Sequence, residues 1–233
     1  MSGMELSAGG ASCRVYGEKN ASFLLIQPVD DHDLAELDAE VRYIGEHAAV
    51  PFLLAAVPVE NWNDDLSPWP APPVFGNQPF GGGAEETLRK IQDKVIPALR
   101  SEFSLPKDVR LILGGYSLAA LFALWAVCQT HRFSAAAAAS PSVWFQNWIS
   151  YASSHAVQTN HVYLSLGDRE EKTRNQQMAK VKDCIIETHA VLRKNTDCTL
   201  EWNEGNHFKD PDKRICKALL WCINRIKMNE TEV

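Results

Sequence analysis

Apolar residues along this chain fall into short continuous runs rather than alternating patterns. The clearest are Phe23 to Ile26, Phe52 to Val57, Leu111 to Leu113, Phe133 to Ser140 and Val162 to Leu166. Strands buried on both faces read this way, because neither side of the sheet meets water. Ser12 to Tyr16 reads as a short edge strand and Cys198 to Trp202 as a last one. Between the runs lie segments of helical pattern: Leu34 to Glu46 behind an Asp33 N-cap, Ala84 to Glu102 kinked at Pro97, and Leu118 to about Gln129. Trp144 to Ser153 reads as a short helix, Thr173 to Lys194 as a long one, and Pro211 to Met228 as the last, with proline in its first turn. Strand and helix in alternation predict an α/β fold: a mostly parallel sheet covered by helices on both faces, with right-handed crossovers. Residues 1–233 make a single domain of that kind, with flexible ends at 1–10 and 229–233.

One stretch breaks the rhythm. Residues 58 to 83 hold Trp62, Trp69, Phe75, Phe80, several prolines and Gly81-Gly82-Gly83, with no strand or helix period. A loop of this length in a compact domain is usually functional, and its tryptophans argue against disorder. Only about twenty residues separate Pro141 from His161, too few for a large cap domain. Any lid over a site must therefore come from the 58–83 loop.

Charge and cysteine content narrow the function class. The net charge of -6 argues against nucleic acid or an anionic membrane surface as partner. The six cysteines form no CxxC pair and sit mostly in apolar runs, as buried free thiols do. Reduced cysteines, no basic and apolar leader at the N-terminus and no run long enough to span a bilayer point to the cytoplasm. No metal-ligand spacing or cofactor-binding motif is present. Oligomeric state stays open, a homodimer among the options.

In parallel α/β sheets ligands bind at the carboxyl ends of the strands, and the candidate chemistry collects there. Leu111 to Leu113 leads into Gly114-Gly115-Tyr116-Ser117-Leu118-Ala119 and then a helix. That is the context of a nucleophile elbow, a strained turn that lifts one hydroxyl above the sheet edge, with small residues on either side of the serine. Val162 to Leu166 leads to Asp168, Glu170 and Glu171, and Cys198 to Trp202 leads to His207. Serine, acid, histidine is the chain order of α/β-hydrolase triads. Serine needs a base to take its proton, histidine can take and return it, and a carboxylate fixes the imidazole tautomer. Glu170, three residues past Gly167, has the usual spacing for the acid; Asp168 and Glu171 remain alternatives in the same loop. The anion that develops needs N–H donors. Leu118 would supply one and Asn61 or Trp62 the other.

These segments resemble the α/β-hydrolase "Putative esterase" family, related to esterase D and to the enterobactin/salmochelin-type siderophore esterases. The resemblance rests on Asn61-Trp-Asn-Asp-Asp-Leu-Ser-Pro-Trp69, Gly-Gly-Tyr-Ser117-Leu-Ala, Ser140-Pro-Ser-Val-Trp144, Ser165-Leu-Gly-Asp-Arg-Glu-Glu-Lys-Thr173 and Gly205-Asn-His207-Phe, in that order. It implies a serine carboxylic-ester hydrolase with Ser117 as nucleophile and His207 as base, acting on a small-molecule ester. It also implies that Ser140 to Trp144 lines the pocket, so that Trp62, Trp69, Tyr116, Ser140, Ser142 and Trp144 are the expected substrate contacts. No N-terminal substrate-binding domain, basic patch or export signal accompanies these motifs, and the siderophore substrate is not carried over. Acyl transfer or thioester hydrolysis on the same site, and a non-catalytic ligand-binding module of this fold, are the alternative functions.

Overall fold

The computed structural model describes residues 3–8 and 10–231. Its centre is an eight-stranded sheet. In chain order the strands are β1 (Met4–Ala8), β2 (Ala11–Gly17), β3 (Phe23–Val29), β4 (Phe52–Pro58), β7 (Arg110–Tyr116), β8 (Ala135–Ala139), β9 (His161–Gly167) and β10 (Asp197–Asn203). The small pair β5 (Pro70–Ala71) and β6 (Phe80–Gly81) stands apart inside the long loop. The sheet order is β1-β2-β4-β3-β7-β8-β9-β10. β1, β2 and β4 pair antiparallel, and every pair from β4 through to β10 is parallel.

Two separate cores explain the continuous apolar runs. Leu24, Ile26, Leu53, Ala55, Leu111, Leu113, Ala136 and Ala138 face one core, while Phe23, Leu25, Phe52, Leu54, Ile112, Ala135 and Ala137 face the other. Successive side chains of a strand point to opposite faces, so a strand covered on both sides must be apolar at every position. Helices α1 (Asp31–His47) and α8 (Pro211–Thr231) pack against each other on one face. On the other face lie α3 (Ala84–Lys90), α4 (Ile96–Glu102), α5 (Ser117–Gln129), α6 (Trp148–Ser154) and α7 (Val181–Leu192). α5 is apolar all round, and its residues from Leu118 to Cys128 are buried.

Several boundaries differ from those expected. Met4–Ala8, expected as part of a loose end, is the edge strand, and it displaces the strand after it into the sheet. The last helix runs on to Thr231, and residues 232 and 233 lie outside the described chain. Asp30, not Asp33, caps α1; Asp33 closes the capping box by accepting from the Asp30 N–H. Between α3 and α4 the helix widens into a π turn over Ile91–Val95, just ahead of Pro97. A proline ring clashes with the carbonyl four residues back and cannot donate, so widening the turn before it relieves both faults. The Gln92 carbonyl is taken instead by Arg132 Nη1 at 3.0 Å. Finally, residues 173 to 177 form no helix; a short 3-10 turn at Met178–Lys180 leads into α7. The Asn175 side chain holds that opening segment by accepting from the N–H groups of Gln177 and Met178, a turn that competes with the helix.

Candidate active site

Ser117 stands where β7 turns into α5, with φ at +56°. A non-glycine residue in the left-handed region is strained and persists only where its surroundings hold it. The neighbours make room for the turn. A Cβ on Gly115 would come within 2.6 Å of the backbone carbon and Cβ of Ala119, so glycine is required there. The turn aims Ser117 Oγ above the sheet edge and leaves the Leu118 N–H among the first donors of α5, which have no partner within the helix.

Ser117 Oγ lies 3.0 Å from His207 Nε2, and His207 Nδ1 lies 2.7 Å from Glu170 Oε2. Glu170 is the carboxylate that meets the imidazole. Asp168 instead accepts from the Gly205 N–H at 2.7 Å, and Glu171 pairs with Lys182 at 3.7 Å. Among the three clustered acids, one orients the histidine, one fixes its loop and one faces away.

The other oxygen of Glu170 is held by a buried network. Oε1 accepts from the Gly167 N–H at 2.6 Å, from Ser140 Oγ at 2.8 Å and from Arg214 Nη1 at 2.7 Å. Arg214 is only 2% exposed. Its guanidinium also donates to Tyr116 Oη, Ser140 Oγ and the carbonyls of Glu204 and Asn206, between 3.0 and 3.2 Å. Tyr116 Oη donates to the His207 carbonyl at 2.7 Å. One side chain of α8 thus ties together the ends of β7 and β8 and the loops that carry the acid and the histidine. Gly167 lets these loops close, since a Cβ there would sit 2.3 Å from the Gly205 carbonyl oxygen and 2.9 Å from Arg214. Burial pushes the Glu170 carboxyl up, but hydrogen bonds from His207, the charge of His207, the Gly167 N–H and Ser140 outweigh it and hold it below its ordinary value.

In front of Ser117 lies a cavity of about 540 Å³, within the usual range for small-molecule sites. Trp62, Phe75, Phe80, Leu118, Trp144, Met178 and Phe208 make its wall largely apolar; Ser117, Ser142 and His207 reach it at one side. Ser142 Oγ is 3.3 Å from Ser117 Oγ. Phe75 and Phe208, 60% and 84% exposed, flank its mouth.

Of the expected contacts, Trp62, Ser142 and Trp144 line this cavity, while Asn61, Trp69, Tyr116 and Ser140 do not. The Asn61 N–H is spent on Asp65 Oδ2 at the start of α2 (Trp62–Asp65), so of the two expected donors only Trp62 belongs to a residue that lines the cavity. Trp69 donates to the Gln146 carbonyl and packs on Phe145 and Tyr151, an anchor for the long loop. Tyr116 and Ser140 lie behind the site, in the Arg214 network. Arg214 itself is absent from the sequence reading. A cation in the first turn of a helix opposes the dipole, and that anomaly was the available signal. Among the described residues no group of three or more His, Cys, Asp or Glu side chains is placed to hold a metal ion.

Known proteins match at two levels. The family model described as "Putative esterase" matches residues 32–201. Among solved structures, an IroE-like serine hydrolase from Shewanella oneidensis superposes with a TM-score of 0.77 at 13% identity, over 94% of this chain and 79% of that one. The siderophore hydrolase EstB from Aspergillus nidulans gives 0.73 at 18% identity, over 95% and 94%. The enterobactin esterase FES from Shigella flexneri gives 0.70 at 13% identity, over 97% of this chain and 60% of its own. No curated protein sequence matches. The structural likenesses establish the α/β-hydrolase fold, and with the family model spanning most of the sequence the chain belongs to the "Putative esterase" family of carboxylic ester hydrolases.

Proposed function

We propose that the protein hydrolyses a small carboxylic ester through an acyl-enzyme on Ser117. The observation that carries this reading is the unbroken chain from Ser117 Oγ through His207 to Glu170, at 3.0 and 2.7 Å, opening on the cavity. His207 takes the Ser117 proton on Nε2 as Oγ attacks the ester carbonyl carbon. The carbonyl oxygen becomes an anion and is held by the N–H groups of Leu118 and Trp62. Collapse breaks the bond to the alcohol, which leaves with the proton from His207. Water then attacks the acyl-serine by the same path, releasing the carboxylate and restoring Ser117. Glu170 keeps Nδ1 protonated and stabilises the imidazolium, and Arg214 and Gly167 hold Glu170 in place. All six cysteines are free, which suits a reducing compartment, and we infer the cytoplasm.

The test is covalent capture. A fluorophosphonate should label the wild-type protein at Ser117, and a p-nitrophenyl ester should give a burst of nitrophenolate. Ser117→Ala should lose both, with turnover down by roughly 10³-fold or more. Labelling that persists in that variant would sink the assignment.

A further inference from the structure

Among the described residues, Arg174 is the only Lys, Arg, Asp or Glu side chain on the wall of the cavity in front of Ser117. It makes no ion pair or hydrogen bond to another described residue. The chain as a whole is acidic, with a net charge of -6, while the segment around Arg174 also carries Arg169, Lys172 and Lys180, none of which lines the cavity. The segment that carries it is fixed. Asn175 Nδ2 donates to the Val74 carbonyl of the facing loop, Gln177 Nε2 donates to the Trp144 carbonyl at 3.4 Å, and the Asn175 side chain accepts from the N–H groups of Gln177 and Met178. Thr173, Asn175 and Asn63 add polar groups to the same wall, whereas Trp62, Phe80, Trp144 and Met178 are apolar.

A substrate bound here must place its ester carbon at Ser117 Oγ and the rest of its body against the apolar wall. Arg174 is an exposed residue on the cavity wall, where its charge adds to the field that an anionic group meets on entering the cleft. A guanidinium also offers a planar pair of donors to a carboxylate or phosphate. Resting on the esterase reading above, we propose that the natural substrate is an anionic ester: an aliphatic or aromatic body with a carboxylate or phosphate group that pairs with Arg174.

The experiment compares matched esters on the full chain. One series is p-nitrophenyl hemiesters of dicarboxylic acids of increasing length, with the anion on the acyl side. A second is acetyl esters of hydroxybenzoates, with the anion on the alcohol side. Each is measured against its neutral methyl-capped partner. At least one anionic series should show a kcat/KM about tenfold or more above its neutral partner, with an optimum length in the hemiesters, and the advantage should shrink with added salt. Arg174→Gln should lower kcat/KM at least tenfold more for the preferred anionic ester than for its neutral partner, through KM, and Arg174→Glu should reverse the preference. Equal effects of Arg174→Gln on both esters, or neutral esters preferred in both series, overturn the proposal. If neutral esters turn over with a Ser117-dependent burst and no anion preference appears, only the substrate class fails; if no ester gives a burst, the esterase reading itself fails.

Discussion

Glu170 and Arg214 form an ion pair at 2.7 Å with both side chains buried. Such a pair contributes little net stability, yet breaking it by removing one member is costly, because a charge is left buried without its partner. Arg214→Met should therefore destabilise the fold by about 3–5 kcal/mol in urea unfolding. Adding Glu170→Gln should recover part of that loss, so that the double variant is more stable than the sum of the two single effects predicts. Strict additivity would mean that the two side chains do not act as a pair. Activity separates the clustered acids. Glu170→Gln removes the carboxylate that fixes the His207 tautomer and should lower kcat by roughly 10³ to 10⁴-fold. Asp168→Asn keeps an oxygen that can accept from the Gly205 N–H, and should cost less than about tenfold, since it shifts only a supporting hydrogen bond. The reverse ranking would move the acid to Asp168. The sequence could narrow the acid to a loop but not choose within it, because which side chain of Asp168, Glu170 and Glu171 meets His207 depends on how that loop packs on α8.

At the scale of elements, the strand-to-helix turn is where local sequence and the candidate site coincide. Gly115 and Ala119 are small because β7 and the first turn of α5 touch there. Gly115→Ala puts a Cβ where only backbone fits, and overpacking of that kind costs about 1–3 kcal/mol, or roughly 2–12 °C in Tm. A melting temperature within a degree of wild type would show that the turn has slack. Such positions were legible because strand, turn and helix each carry their own pattern. That Ser117 and His207 would meet was legible for a related reason: the strand-end rule reduces a chain with seven histidines to one. Elements whose form depends on distant partners were not. The β5/β6 pair is two residues a side and is held by the Gly82 N–H donating to Ser67 Oγ at 2.8 Å, too little sequence to carry a period. Residues 173 to 177 have a helical composition but are pulled open toward Val74 and Trp144. Trp69 and Tyr116 share the aromatic character of pocket residues, and only packing separates an anchor from a wall.

For the molecule as a whole, carboxyl groups gathered around α8 titrate with opposite consequences for stability. On the site side, Glu170 is held below its ordinary value; at the edge beyond it, Asp197 and Glu201 are held low as well, Asp197 chiefly by Arg225 and Glu201 by Lys217 and Tyr163 against the upward push of burial. Groups with depressed values stabilise the fold above their unfolded range and lose that contribution as pH falls through the folded one. Where α1 meets α8, Glu40 is 4% exposed and its Oε2 has no hydrogen-bond partner among the described residues; the same is true of Gln27 Oε1. Burial, then the charges of Asp33 and Asp212, push Glu40 up to about 8, against a smaller downward pull from Gln27 and with a further push from Glu36. Asp33 is raised to about 6 by burial and by Asp30.

A raised carboxyl acts in the opposite sense from a depressed one. The folded state keeps the Glu40 proton that the unfolded chain has already lost, so its contribution is full below the unfolded value near 4.5 and disappears as pH rises through about 8. Asp33 adds the same slope only up to about pH 6. Between pH 6 and 8 Glu40 keeps its proton in the folded state, so stability should fall across that window by up to about 1.4 kcal/mol per pH unit from this residue. Glu40→Gln carries no proton to lose and offers an amide donor toward Gln27 Oε1. Urea unfolding at pH 6, 7 and 8 should therefore show the downward slope in the wild type and a flatter line in Glu40→Gln, with the variant gaining most at pH 8. The same slope in both proteins would mean that Glu40 is already ionised in the folded state at neutral pH, and that the α1–α8 side holds its charge by some route other than keeping the proton.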